Sequence, residues 1–237
     1  MDALQLQNEI KDFCLFKANK EIAEKSQRYF KSPLDMYGLA TPQLYAQVKV
    51  MLENKNLSLT VILESISKYL IYGKYEETTI GILLLINFSN EFTPDTFKEI
   101  EVFFTKGIHN WAHADMLGMF ILPKFLIHNI VRPNDFIPWT LALYKFQRRC
   151  VPVTFIKAMK LDKECSRYIE LVEPLIKDSD REVHQGVGWF MREAWKIDRK
   201  TSEAFLGQWK DTAPRIIIQY ACEKMTTEEK MRFKRVK

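Results

Sequence analysis

Apolar residues recur at intervals of three and four positions along most of the chain, and the strict alternation typical of strands is almost absent. This spacing places apolar side chains on one face of a helix and so predicts helices through most of the sequence. Three clear stripes are Ile62, Ile66, Tyr69 and Leu70; Phe97, Ile100, Phe103 and Phe104; and Ile169, Val172, Leu175 and Ile176. The pattern predicts an all-α protein.

Helix start signals and breakers divide these stripes into elements. Thr93 followed by Pro94 is a typical helix start, and Thr226 with Glu229 has the spacing of a capping box. Breakers fall at "KSPLDMYGLATP", "ENKNLS", "NFSNEFTP", "RPND" and "KDSD". About a dozen helices fit between them, joined by short loops.

The predicted helices suggest a repeat architecture. Successive antiparallel pairs, each roughly 35–45 residues from start to start, are typical of a curved HEAT-like solenoid, and a compact bundle is the alternative. No linker rich in proline, glycine or serine interrupts the chain, so a single domain over residues 1–237 is predicted.

Composition excludes several classes of protein. The chain has 237 residues, 47% hydrophobic and 27% charged, which is typical of a globular protein. Its start, "MDALQLQNEIKDFCLF", is amphipathic and mixed in charge, and its longest uncharged apolar run, residues 80–88, is shorter than the roughly 20 residues that a membrane helix needs. Four cysteines lie far apart without a CxxC pair, so we expect reduced thiols and a cytoplasmic protein.

The charge balance permits a polyanionic partner without requiring one. Lysine and arginine total 35 against 30 acidic residues, a net charge of +5. Basic residues cluster at Arg148 and Arg149 and in the tail at residues 230–237. A solvated tail and helix face would explain these clusters equally well.

The segment "IHNWAHADMLG", residues 108–118, sets polar groups inside an apolar helix. Trp111 and Asp115 are four residues apart and so share a helix face, roughly 5–6 Å apart at Cβ. The ordinary interpretation is a volume-filling indole beside a carboxylate that accepts hydrogen bonds from a neighbouring helix. His109 and His113 have the spacing of two metal ligands, but the glutamate of an HExxH motif is missing, so no metal site is predicted.

A second cluster lies in "HQGVGWFMREAWK", residues 184–196. Gly186 and Gly188 allow close helix packing around Trp189. Arg192, three residues after Trp189, lies on nearly the same helix face.

Between these clusters, "YKFQRRCVPVTF" places Arg148 and Arg149 ahead of an apolar run. Pro152, expected in the first turn or so, predicts that a helix begins near the arginines. Positive charge at a helix N-terminus opposes the helix dipole, which favours a bound anion there. An ordinary surface arginine pair is the alternative.

Seven short motifs together resemble one known family. In order they are "QRYFK" (27–31), "YGLATPQL" (37–44), "YEET" (75–78), "WAHADM" (111–116), "FQRRCVPVTF" (146–155), "GVGWFMREAWK" (186–196) and "APRIIIQYACEK" (213–224). This series resembles the DNA alkylation repair family of HEAT-like-repeat DNA glycosylases. The resemblance runs from about residue 29 to residue 224.

The resemblance implies a fold, an activity and a set of partners. It implies an α-helical solenoid whose concave basic face holds double-stranded DNA, and hydrolysis of the N-glycosidic bond of cationic N3- or N7-alkylated purines. No cofactor, metal or membrane is implied, and a monomer suffices.

The resemblance also assigns roles to individual residues. The family's catalytic aspartate and two tryptophans match Asp115, Trp111 and Trp189. Its DNA-contacting arginine matches Arg149, or Arg148 under a shifted alignment, and other DNA-contacting groups match Arg192 and Tyr29.

The chemistry of these residues agrees with that assignment. An alkylated purine already carries positive charge and leaves as a neutral base, so positive charge develops on the deoxyribose. A carboxylate and two indole faces would stabilise that oxocarbenium-like state.

Some relatives with this fold bind DNA without glycosylase activity, and this chain departs from the family pattern at Phe146, Tyr45 and Ala46. The alternative is therefore a non-catalytic HEAT-like protein that recognises damaged, bent or branched DNA by shape.

Overall fold

The computed structural model describes residues 1–235. No residue in that range forms a β-strand, so the predicted all-α class is confirmed. The α-helices are α1 (Ala3–Lys17), α2 (Lys20–Gln27), α3 (Thr41–Met51), α4 (Leu59–Tyr72), α5 (Tyr75–Ile86), α6 (Pro94–Lys106), α7 (Trp111–Met116), α8 (Leu122–Ile127), α9 (Ile137–Thr140), α10 (Lys145–Asp162), α11 (Ser166–Val172), α12 (Arg181–Ile197), α13 (Arg199–Trp209), α14 (Arg215–Ala221) and α15 (Thr227–Met231).

Contacts within the chain cluster into two compact units, Met1–His113 and Ala114–Lys237. The boundary falls inside α7, which continues into a π-helical segment, Leu117–Ile121, before α8. The single-domain organisation stays a prediction. None of the helices in residues 1–235 is long and apolar enough to cross a bilayer.

In the first unit, α5 is the most buried helix. It packs against α1, α3 and α4, and α6 packs against α4. Almost every side chain of α5 is buried, because the run from Ile80 to Leu85 is apolar on all sides. The predicted start of α6 is confirmed: the hydroxyl of Thr93 accepts a hydrogen bond from the backbone N–H of Thr96, with Pro94 as the first helical residue.

A buried carboxylate at the start of α5 fixes the loop before α3. The side chain of Glu76 accepts hydrogen bonds from the backbone N–H groups of Tyr37, Gly38 and Leu39, at 2.7 to 3.1 Å. Gly38 has φ +82°, and a Cβ there would lie 2.1 Å from the carbonyl oxygen of Asn19. The motifs at residues 37–44 and 75–78 therefore support each other structurally.

In the second unit, α10 and α12 form the centre. Helix α10 packs against α8, α9 and α12, and α12 packs in turn against α13 and α14. The predicted position of Pro152 near the start of its helix is wrong. Helix α10 begins at Lys145, where the Tyr144 carbonyl accepts from the N–H groups of Gln147 and Arg148, and Pro152 lies inside the helix. The capping box predicted at Thr226 and Glu229 is confirmed as the start of α15.

Candidate active site

The carboxylate of Asp115, on α7, is held by the guanidinium of Arg149, on α10. Arg149 Nε donates to Oδ1 and Nη2 donates to Oδ2, both at 2.8 Å. The side chains are 15% and 8% exposed, so the pair is mostly shielded from water and the aspartate keeps a small solvent-facing edge. A bidentate pair of this kind fixes the orientation of the carboxylate as well as its partner.

Two opposing effects act on the ionisation of Asp115. Burial raises the pKa of its carboxyl group above the ordinary value, and the hydrogen bonds and positive charge of Arg149 counteract that rise. The arginine therefore favours the charged form of a poorly solvated carboxylate.

Arg149 is itself tied to the start of α12. Its Nη1 donates to the backbone carbonyl of Glu182 at 2.6 Å. One turn later along α12, Gly186 lies against the arginine stem, since a Cβ at that position would be 3.3 Å from Arg149 Cγ. Gly186, which the sequence predicts to permit close helix packing, thus leaves room for the aliphatic part of the Arg149 side chain.

Trp189 belongs to the half-buried face of α12. Glu182, Gln185, Trp189 and Arg192 recur every three or four residues and are partly exposed, while Gly186 to Gly188 and Phe190 to Met191 are buried. Trp189 follows Gly186 by three residues, or roughly 4.5 Å along the helix axis. Trp189 therefore lies within about one helical turn of Gly186, the glycine that packs against the Arg149 side chain.

Arg192 lies on the same face of α12 and is held by acidic neighbours. Its Nε donates to Glu193 at 3.3 Å, and Nη1 makes a short contact with Glu223. The side chain is 19% exposed.

Arg148 is fully engaged by protein groups. Its five N–H groups are directed at Asp178, Asp180 and the backbone carbonyls of Ala142 and Leu143. The side chains of the two adjacent arginines thus bind different partners, and of the two only Arg149 contacts Asp115.

In the first unit, Trp111 is partly exposed and firmly oriented. The indole is 38% exposed, and its Nε1–H donates to the backbone carbonyl of Tyr29 at 3.1 Å. Its ring stacks on Phe30 with centroids 5.6 Å apart and an interplanar angle of 23°. The side chain of Tyr29 is itself 76% exposed.

Comparison with known proteins identifies the family. A family model described as DNA alkylation repair enzyme matches residues 16–225. The chain belongs to this DNA alkylation repair family. Membership supports a role in DNA repair, with DNA as the substrate.

A solved structure shares the fold. "Predicted DNA alkylation repair enzyme from Enterococcus faecalis" superposes with a TM-score of 0.74 and 16% sequence identity, over 89% of this chain and 98% of that one. The two proteins therefore share one helical fold. A comparison with curated proteins gives no match.

Sequence reasoning missed the residues that support Trp111 in this family member. Phe30 also packs against Tyr75 at 5.6 Å, and Tyr75 stacks on His113 with ring centroids 4.6 Å apart and an angle of 12°. Trp111, Phe30, Tyr75 and His113 thus form a continuous aromatic cluster, in which the first and last pairs are stacked and the Phe30 and Tyr75 rings are tilted by 60°. Phe30 and Tyr75 lie inside the family motifs at residues 27–31 and 75–78, and this position in the sequence is the signal that could have identified them.

His113 is part of this support. The Asn110 amide lies 3.0 Å from Nδ1, and Nε2 is within hydrogen-bond distance of Thr79 Oγ1 and the Tyr75 carbonyl. Burial lowers the pKa of His113 to about 3, so the ring is neutral. Both nitrogens have protein partners, and no three histidine, cysteine or carboxylate side chains within residues 1–235 are grouped to hold a metal ion.

Proposed function

We propose that this protein is a DNA glycosylase that hydrolyses the N-glycosidic bond of cationic N3- or N7-alkylated purines in double-stranded DNA. The observation that carries the proposal is the shielded, bidentate pair of Asp115 and Arg149 in a member of the DNA alkylation repair family. A carboxylate kept charged in a poorly solvated place can stabilise a developing cation strongly.

The reaction needs no acid to activate the leaving group. The alkylated purine carries a positive charge and departs as a neutral base when the bond to C1′ breaks. Positive charge then moves to the sugar, water adds at C1′, and the proton that water loses passes to solvent or to Asp115. The products are a free alkylpurine, an abasic site and one proton.

Asp115 and the two tryptophans have complementary roles in this proposal. Asp115 attracts the oxocarbenium-like sugar by charge. Trp189 presents an indole face to that cation and contributes about 0.5–2 kcal/mol, and Trp111 is proposed as a second catalytic tryptophan with a contribution of the same size. The hydrogen bond of Trp111 to the Tyr29 carbonyl and its stacking on Phe30 keep that ring from rotating away.

Arg149 acts mainly through Asp115 in this scheme. Three of its N–H groups are engaged by Asp115 and Glu182, so two remain for a DNA phosphate. Arg192 and Tyr29 are proposed as further DNA contacts, since both are partly or largely exposed. Arg148 has no N–H left for a phosphate and is assigned a structural role.

The direct test is release of 7-methylguanine or 3-methyladenine from methylated duplex. Wild-type protein should release base, and Asp115→Asn should slow single-turnover release roughly 100- to 1000-fold. Because that change also leaves Arg149 without its anion, rates are compared at a temperature where both proteins are folded. Equal rates for the two proteins would refute the role of Asp115.

A non-catalytic DNA-binding protein is the second candidate. It is favoured by one observation: Arg149 compensates the charge of Asp115, which weakens attraction for a cation. This candidate predicts salt-sensitive duplex binding with no base release, little affected by Asp115→Asn. The release assay on wild-type protein separates the two.

A further inference from the structure

Two half-buried side chains of the second unit carry hydrogen-bond donors that no described protein group accepts. The first is Trp189. The indole N–H groups of Trp111, Trp195 and Trp209 each donate to a protein oxygen, at 3.0 to 3.1 Å. The N–H of Trp189 has no such acceptor within residues 1–235. It is therefore available to a ligand.

The second donor is the hydroxyl group of Tyr220, on α14. Its oxygen accepts a hydrogen bond from Nε2 of Gln185, on α12, at 3.0 Å. A phenol can accept and donate at the same time, and the part of the chain that the structure describes offers no acceptor for the Tyr220 hydrogen. Gln185 thus orients the phenol and leaves its hydrogen for another partner.

Close packing of α14 against α12 holds the Tyr220 ring in place. A Cβ at Gly188 would lie 2.6 Å from the Cβ of Tyr220 and 2.9 Å from the carbonyl oxygen of Ile217. Because Gly188 has no side chain, the tyrosine can lie directly against α12. Its hydroxyl then reaches Gln185, three residues earlier on that helix.

This hydroxyl lies beside groups already assigned to the proposed reaction. Gln185 and Trp189 are four residues apart on α12, so their Cβ atoms are about 5–6 Å apart. The residue after Gln185, Gly186, packs against Arg149, the arginine that orients the proposed catalytic carboxylate. Two neighbouring donors without acceptors indicate that this face of α12 is completed by a ligand.

The chemistry of this face favours a DNA phosphate as that ligand. Most hydrogen bonds between proteins and DNA go to phosphate and sugar oxygens. If Trp189 faces the sugar of the alkylated nucleotide, an acceptor beside Gln185 belongs to the same strand, within about two nucleotides, since each nucleotide advances about 3.4 Å. A neutral phenol suits this place, because a lysine or arginine would add positive charge close to a sugar that becomes positive.

We propose that the Tyr220 hydroxyl, oriented by Gln185, donates a hydrogen bond to one phosphate of the damaged strand. This contact positions the alkylated nucleotide against Trp189 without adding charge to the site. The inference rests on the proposed function, because it takes Trp189 to face the damaged nucleotide.

The experiment measures binding of the protein to duplexes that carry one tetrahydrofuran, an uncleavable analogue of the abasic product. In a series of these duplexes, each phosphate near the analogue is replaced in turn by an uncharged methylphosphonate. Tyr220→Phe removes only the hydroxyl and keeps the ring against Gly188, and it should weaken binding to the unmodified duplex roughly 10-fold.

The position of the phosphate is read from the coupling between the two changes. At one methylphosphonate, wild type and Tyr220→Phe should bind equally, because the contact that they would differ in is already lost. At all other methylphosphonates the roughly 10-fold difference should remain. Gln185→Met, which leaves the phenol without its oriented partner, should weaken binding by a smaller factor with coupling to the same phosphate.

The matched control is Tyr168→Phe. The Tyr168 hydroxyl, on α11, also makes hydrogen bonds, to Asp162 and Arg167, and Tyr168 has no assigned role in DNA binding. This variant should bind every duplex as wild type does. Thermal unfolding of all the variants should show them folded at the temperature of the assay.

The salt dependence of binding distinguishes a neutral contact from a charged one. Tyr220→Phe removes no charge, so the slope of log affinity against log salt should stay the same. Arg192→Gln, at a proposed charged contact on the same helix, should instead reduce that slope by about 1.

The results separate this phosphate contact from the proposed glycosylase. Base release by wild-type protein, with a Tyr220→Phe loss that is equal at every methylphosphonate, would overturn the phosphate contact alone. Wild-type affinity of Tyr220→Phe for the unmodified duplex would do the same. Coupling at one phosphate without base release from methylated duplex would support the contact and overturn the glycosylase. Absence of duplex binding by wild-type protein would overturn both proposals.

Discussion

Arg149 lies side-on against Asp115, with two nitrogens each 2.8 Å from a different carboxylate oxygen. This geometry orients the aspartate and favours its ionised form, but it also makes each residue depend on the other. Both are largely shielded from solvent, so removing one leaves an unpaired charge in a poorly hydrated place.

The first prediction concerns this dependence. Asp115→Ala and Arg149→Met should each lower the free energy of unfolding by about 3–5 kcal/mol. The double variant should be no less stable than either single variant, because no unpaired charge remains. Urea denaturation of the four proteins at one pH measures the coupling; strictly additive losses would contradict a paired role.

The second prediction concerns Trp111. Trp111→Phe keeps an aromatic ring that can stack on Phe30 but loses the hydrogen bond to the Tyr29 carbonyl. It should lower stability by about 0.5–1.5 kcal/mol and leave most base release intact. Trp111→Leu removes the π face and should slow release roughly 2- to 30-fold, as loss of one cation–π contact implies.

Single-turnover kinetics at saturating protein measures the effect of both changes. Trp209→Phe and Trp209→Leu are the matched controls. Trp209, in α13, also donates a hydrogen bond, to Glu173, and it has no assigned role in the reaction. If Trp209→Leu slowed release as much as Trp111→Leu, the specific role of Trp111 would be lost.

Local sequence predicted the helices well because their causes are local. Apolar spacing and caps such as Thr93 and Thr226 act within a few residues, and the structure confirms those starts. The prediction that a helix starts near Arg148 and Arg149 agrees with the start of α10 at Lys145, but Pro152 lies seven residues after that start instead of in the first turn. The helix tolerates it as an interior residue.

The partners of the charged residues could not be predicted in this way. The spacing placed Arg148 and Arg149 on one helix, but their carboxylates lie 30 to 34 residues away in sequence. Which arginine faces Asp115 is decided by packing of α10 against α12, including the room left by Gly186. The family resemblance named Asp115 and Arg149 but not their pairing.

The third prediction concerns pH and His113. Its pKa is about 3 in the folded protein, against an ordinary value of 6.5. Below pH 6.5, His113 therefore binds a proton in the unfolded chain but stays neutral in the folded protein. The contribution of neutral His113 to the free energy of unfolding is complete above pH 6.5. It is lost as pH falls below that value, by about 1.4 kcal/mol per pH unit.

Between pH 6.5 and 5 this group alone should remove about 2 kcal/mol from the free energy of unfolding. His113→Gln keeps a donor for the Tyr75 carbonyl and cannot titrate, so its stability should fall less over that interval. His109→Gln is the control, because His109 is exposed on the same segment. Parallel pH profiles for wild type and His113→Gln would contradict the buried neutral ring.

The fourth prediction compares two glycines. Gly38 has φ +82°, and a Cβ there would meet the Asn19 carbonyl oxygen at 2.1 Å, whereas nothing lies within 4 Å of a Cβ at Gly207 in α13. Gly38→Ala should displace the loop that Glu76 holds and destabilise the protein by several kcal/mol, since strain and lost charged hydrogen bonds add together. Gly207→Ala should instead raise stability by about 0.5–1 kcal/mol through helix propensity. Thermal and urea unfolding of both variants tests the pair, and a harmless Gly38→Ala would mean that the loop at residues 37–39 does not need its left-handed turn.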